Sequence, residues 1–310
     1  MPEAGSRTGR GWLRAVGLLT GTVLFSVLNP GVLVALPFVL LALFVPSRSP
    51  VTLLVALFAT FLAMGGRPTD GLWYLERGWG LVLGGCFLAL TLRWPGLRFM
   101  PRGLGAVAGA FLVTGGVFLV RPGDWLVVRW MITSRMEAGL GAALGALQAL
   151  QGREGFTEAF ENSAVQAMAV QGSVFPALLG LASLSALGLG WWLFVRLTNG
   201  SGDGVGPLRE FRFHDHLIWI LILGLLGLVG TSGALEGLGT NAVVFMGALY
   251  ALRGSAVVLF MTKGVSFLGA LLLSVGFLLV APLMLTAAFV IGVGDTWLNF
   301  RARLGSVGSR

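Results

Sequence analysis

Residues 264–294, GVSFLGALLLSVGFLLVAPLMLTAAFVIGVG, hold no charged side chain. A helix rises 1.5 Å per residue, so about 20 apolar residues cross the ~30 Å hydrocarbon layer of a bilayer. This stretch is long for one crossing, and Pro282 stands near its middle. It therefore predicts one tilted, kinked helix or two short ones. The same absence of charge recurs at 15–47, 49–66, 78–92, 103–120, 162–195, 217–235 and 237–252. Such a chain is an all-α polytopic transmembrane bundle of about eight to ten spans. Transmembrane barrels instead show alternating segments of ~10 residues, which are absent here.

Charged residues make up 11% of the chain, against about a quarter in soluble domains. The net charge of +8 points away from nucleic acid, because the basic residues stand singly at the ends of apolar runs and Lys263 is the only lysine. That is the pattern of cytoplasmic anchors under the positive-inside rule. The single cysteine, Cys86, forms no internal disulfide and no thiolate cluster. Arg7, Arg10 and Arg14 precede an apolar run with no small-residue cleavage site, so the first helix is expected to remain uncleaved.

The turn Asn29-Pro30-Gly31 divides the first run into helices near 15–29 and 32–46, and a third follows at 51–65. Residues 67–77 are read as a polar loop, with helices at 78–93 and 103–120 separated by a basic loop carrying Arg93, Arg98 and Arg102. In 122–170, Arg129, Thr133 and Glu137 repeat at helical spacing beside Trp125, Trp130 and Ile132, predicting an amphipathic interfacial segment. Glu154, Glu158 and Glu161 share one helical face there, read as a solvated face. A helix at 174–197 has Pro176 in its first turn, where proline is tolerated. NGSGDGVGP, residues 199–207, is linker-like. The expected organisation is 1–198, an N-terminal membrane bundle of about six spans, then the linker, then 208–310 with about three or four spans at 217–235, 240–262 and 266–294.

A cytoplasmic N-terminus puts Arg48, the 93–102 cluster, Arg196, Arg209, Arg212 and Lys263 on the inner side. Nine spans would leave Arg301, Arg303 and Arg310 outside, which the rule disfavours. Splitting the last run, or merging the first pair, brings them back.

Arg253 is the residue of greatest chemical interest. It lies ten residues before Lys263, so ~15 Å along the helix, near the bilayer midplane. A midplane arginine costs roughly 2.5–3.5 kcal/mol on the translocon scale and needs protein, water or a partner around it. It is read either as a site for an anionic group or carboxylate-paired gate, or as a packing residue bonded to carbonyls or snorkelling to the interface. Gly292-x-Gly294-Asp295 is similar to the motif of presenilin-like intramembrane aspartyl proteases. That chemistry needs two carboxylates sharing a proton, and Asp70, Asp124, Asp203 and Asp215 read as loop or interface positions. Asp295 is therefore expected to cap a helix end or pair with Arg301 or Arg303. His214-Asp215-His216 offers too few ligands for a metal. Gly80/Gly84, Ala106/Ala110 and Gly141/Gly145 are small-xxx-small pairs read as helix-packing points within the chain.

From Phe211 onward the order Phe211-Arg212-Phe213-His214-Asp215, Leu217-Ile218-Trp219, Asn241, Tyr250 to Phe260 and Gly294 to Arg301 resembles the YybS-like family, bacterial inner-membrane proteins classed as a domain of unknown function. His214 and Arg253 stand where the family pattern tends to have Pro and Gln. The layout is distantly similar to the substrate-binding membrane subunits of energy-coupling-factor vitamin transporters, an analogy of architecture. The expectation is a non-enzymatic integral inner-membrane protein without cofactor or metal. It binds or helps transport a small molecule through Arg253, Tyr250 and Asn241, and depends on a separate ATPase module. The alternative is a scaffold or regulator docking a partner protein through 122–170 and the basic inner loops.

Overall fold

The computed structural model describes residues 71–151, 158–197, 206–262 and 267–301. The expected spans at 15–29, 32–46 and 51–65, most of the linker, Glu154, Lys263, Arg303 and Arg310 lie outside the described residues, as do the side chains of Glu158 and Glu161. Among the described residues all regular structure is helical: α1 (Leu72–Arg93), α2 (Phe99–Val120), α3 (Pro122–Gln151), α4 (Glu158–Ser173), α5 (Phe175–Leu197), α6 (Ile218–Gly230), α7 (Ala234–Met261) and α8 (Phe267–Leu298). Five are long and apolar enough to cross a membrane: α1, α2, the Phe175–Trp192 part of α5, α7, and the Leu279–Leu298 part of α8. Leu223, Val229 and Leu279 are among many large apolar side chains left exposed, as a lipid-facing surface requires. The chain is an all-α polytopic membrane bundle.

The chain divides into two compact units, 1–175 with 179–204, and 176–178 with 205–310. In the first, α1 and α2 run antiparallel, joined by the short segment 94–98. Their backbones close up where a Cβ on Gly109 would sit 3.1 Å from Cys86 Sγ and one on Gly105 would sit 3.0 Å from Leu90 Cδ1. Leu83, Phe87, Ala106, Ala110 and Leu187 form the sealed interior. Trp79 donates its indole N–H to Ser183 Oγ at 2.9 Å inside this core. Helix α3 turns Val128 and Ile132 inward against Leu72, while Arg129, Thr133 and Glu137 are exposed; of the apolar residues expected opposite them, Ile132 is buried but Trp125 and Trp130 are exposed.

Two helices begin earlier than their charges suggested. α1 starts at Leu72, so Glu76 and Arg77 lie in it rather than in a polar loop. Arg77 stacks its guanidinium 3.8 Å from the Trp73 ring centre, and Glu76 is ion-paired with Arg135 of α3. α2 starts at Phe99 and takes in Arg102, because Pro101 falls in the first turn, where no intrahelical N–H bond is lost.

In the second unit the boundary between spans falls at Thr231–Gly233 rather than at Glu236. Gly233, at φ 74°, makes the turn in a backbone region that glycine enters freely. α8 is one helix broken by a kink, with Val280 at φ −133° and ψ 37°. Pro282 lacks the N–H that would bond residue 278, and its ring crowds that turn, so the break falls just before it.

α7 is the spine of this unit. Gly239, Met246, Tyr250, Gly254 and Val257 lie at helical spacing on one buried stripe of it. α6 covers the first part of the stripe, antiparallel: a Cβ on Gly224 would come within 3.2 Å of the Gly239 carbonyl oxygen and of Val243 Cγ2. The second half of α8 covers the next part, also antiparallel. There the approach of Gly254 to Ala288, and of Gly292 to Tyr250, leaves no room for any side chain on either glycine. Two helices thus follow one another along the same face, and the beginning of α6 meets the end of α8.

Candidate functional site

The meeting point is organised by Arg253. It stands eight residues before the last residue of α7, ~12 Å along the axis, and its side chain has no solvent exposure. Arg253 Nε donates to Asp295 Oδ2 at 3.0 Å, and Nη1 donates to Asp215 Oδ1 at 2.7 Å. Asp295 is fully enclosed in the last turn of α8, whereas the Asp215 side chain is 47% exposed on a short 3-10 turn ahead of α6. The Phe213 ring covers the guanidinium at 5.4 Å and packs edge-on against Tyr250 at 5.1 Å.

A second tier of arginines encloses this pair. Arg212 bonds Asn299 Oδ1 at 2.8 Å and lies 3.8 Å from Asp215 Oδ2. Arg301 donates to the carbonyl oxygen of Phe211 at 3.0 Å and reaches that of Arg253 at 3.5 Å. Burial lowers the proton affinity of Arg301 from its ordinary value, and the nearby Asp295 charge opposes that shift. Asn299, at φ 49°, is the left-handed residue that ends α8 and turns Arg301 inward.

Helix ends add fixed charge. Arg253 faces the C-terminal, negative end of α8, and Asp215 precedes the N-terminal, positive end of α6, so each ion sits where the local dipole favours it. Arg253 Nη2, Asp295 Oδ1, Arg301 Nε and the hydroxyls of Tyr250 and Thr296 are buried without a hydrogen-bond partner of good geometry. The two hydroxyls are neighbours.

Arg253 and Tyr250 lie within one turn of each other on α7, and the company they keep differs from the sequence reading. Asp295 pairs with Arg253 rather than with Arg301, because α8 runs antiparallel on the stripe that carries Arg253; Arg303 lies outside the described residues. Asp215, read as a loop residue, is the second carboxylate of the cluster. Asn241 stands twelve residues away on α7, ~18 Å along the axis. Its side chain accepts the Ala177 backbone N–H at 2.9 Å and donates to the Gly237 carbonyl. His214 and His216, at positions i and i+2, stack at 4.8 Å where the chain enters a 3-10 turn.

Arg102, read as a loop cation, is a second enclosed guanidinium, at 1% exposure. It donates to the carbonyls of Pro95 and Leu97 at 3.2 and 2.6 Å and lies 4.6 Å from the Trp191 ring centre. It fastens the α1–α2 turn, since its bonds go to the backbone of that turn.

The profile of the family described as predicted membrane protein (DUF2232) matches residues 15–296. The chain belongs to this family. The match covers every helix described above almost to the end of α8, so Asp215, Arg253 and Asp295 lie within the DUF2232 region, while Asn299 and Arg301 lie just beyond it. No curated protein and no solved structure matches the chain.

Proposed function

We propose that this DUF2232 protein is a non-catalytic membrane subunit that binds, or helps transport, a small molecule at the Arg253 cluster. One observation carries the reading: two helices end against each other on the face of a third, around a buried cation, with polar atoms left unmet. Transporters place substrates at interrupted helices for the same reason, since free helix ends and unpaired polar groups supply binding energy inside an apolar slab. The guanidinium lies between the two carboxylates and takes the place of the shared proton that aspartyl protease chemistry would need. With no nucleotide-binding motif in the sequence, energy for transport would come from a separate ATPase module. The proposed setting is the inner membrane, with the N-terminus in the cytoplasm.

Complete enclosure of Arg253 by two carboxylates favours a second reading, in which the cluster only locks a scaffold that docks a partner protein. Native mass spectrometry of the detergent-purified chain separates the two. Binding predicts a co-purifying small molecule on the wild type that is missing from the charge-balanced double variant Arg253→Gln/Asp295→Asn. If equally folded wild type and variant both fly without an adduct, the scaffold reading stands.

A further inference from the structure

Asp215 is an unusual partner for a buried arginine. It is half-exposed, sits on a three-residue turn, and divides its oxygens between two cations, Arg253 at 2.7 Å and Arg212 at 3.8 Å. Asp295, by contrast, is enclosed and fixed in the last turn of α8. Arg253 offers Nη1 to Asp215 and leaves Nη2 unmet in the interior. The two terminal nitrogens form a planar edge that matches both oxygens of one carboxylate. A side chain tethered through the 215 backbone meets only one of them. Arg301 Nε is likewise unmet nearby, and the Tyr250 hydroxyl is a further donor.

Resting on the binding role proposed above, we infer that the ligand carries a carboxylate, and that Asp215 is its resident stand-in. On binding, the ligand carboxylate takes the Nη1–Nη2 edge of Arg253, and Asp215 moves to Arg212. Charge favours this exchange. Arg212, Arg253 and Arg301 against Asp215 and Asp295 leave one positive charge in the empty cluster, so a monoanion neutralises it. The incoming group also lies before the positive end of α6, which already favours Asp215 there. Asp295 stays in place on Nε throughout and keeps Arg253 aimed at the exchange position.

The test is thermal unfolding of the full chain in detergent, with sodium acetate, benzoate or succinate titrated against sodium chloride at fixed ionic strength. Inorganic phosphate serves as the comparison anion. Carboxylates are expected to raise the unfolding midpoint by a few degrees at saturation. Asp215→Asn, which removes the internal competitor, should lower the half-saturating concentration by about five- to tenfold. Arg212→Gln, which removes the cation that receives Asp215, should raise it by a similar factor, so the inference remains testable should the Asp215 variant fail to fold. Half-saturation unmoved by either substitution would overturn the exchange. Phosphate acting as well as carboxylate would overturn the ligand class. An adduct lost on Arg253→Gln/Asp295→Asn, with no carboxylate effect, would sink this inference while leaving the binding role standing.

Discussion

Removing the Arg253 cation without removing its bulk is the most informative perturbation of this protein. Arg253→Met keeps an unbranched stem on the α7 stripe, so packing against Phe213 and α8 changes little. What it takes away is, among the described residues, the only side-chain hydrogen-bond partner of Asp295 Oδ2, a carboxylate with no solvent exposure. Breaking one side of a buried ion pair costs about 3–5 kcal/mol, because the remaining charge stays unsolvated. Asp295→Asn keeps the shape and leaves Arg253 its bond to Asp215, so it should cost about 1–3 kcal/mol. Asp215→Asn alters a half-exposed group screened by solvent, and about 1 kcal/mol or less is expected. The double variant Arg253→Met/Asp295→Leu removes both charges and should be less damaging than Arg253→Met alone, since no ion is then left buried. Thermal unfolding in a mild detergent, with these four variants and the single variant Asp295→Leu in parallel, reads the order and closes the cycle. A double variant whose loss equals the sum of its two single losses would refute the reasoning, because it would mean the two residues are not energetically coupled.

Three further outcomes follow from the packing. Gly254→Ala and Gly292→Ala each force a methyl group into the facing backbone and should each cost about 1–3 kcal/mol or more, whereas Gly247→Ala, with nothing within 4 Å, should be neutral or slightly stabilising; the unfolding midpoint discriminates them. Ser183→Ala leaves the Trp79 indole N–H unpaired in the core and should cost about 1–3 kcal/mol, with most of that loss absent when Trp79 is already Phe, as a double-mutant cycle measures. Asn241→Ala should lower stability by about 1 kcal/mol through the lost Ala177 bond yet leave carboxylate half-saturation unchanged, since it stands outside the cluster.

The membrane class and the principal helices were legible because hydrocarbon imposes one rule on every lipid-facing position, and a run without charge announces it. Pro282 marked its own kink for an equally local reason. Charged residues were where legibility failed. Glu76, Arg77 and Arg102 looked like loop residues because a lone charge normally seeks water. Here a ring face, an ion pair or two turn carbonyls stand in for it, all supplied by residues 4 to 59 positions away. Trp73, Pro95 and Leu97 stand within seven residues of their arginines, yet nothing in the sequence marks them as partners, and Arg135 lies far from Glu76 along the chain. The Gly254–Gly292 approach was hidden for the same reason, since 48 glycines give no sign of which ones touch backbone.

Asp215 shows how a site can be split between a readable half and an unreadable one. Depth alone singled out Arg253, because an apolar slab makes any ionised group within it demand a partner. It could not say which of the chain's acids would answer. Asp295, on an apolar helix, carried part of that signal: an acid on a helix in lipid needs a cation as surely as the reverse. Asp215 carried none, since an acid among Arg212, His214 and His216 suits any water-facing turn. It reaches Arg253 only because α6 is 13 residues long, about 20 Å, too short to carry its own start as far as the end of α7. Its N-terminal turn therefore falls partway along the stripe, where α8 ends. The shortness of α6 is what turns an interfacial aspartate into a partner for a buried arginine, and a helix of full span there would have left Arg253 with Asp295 alone.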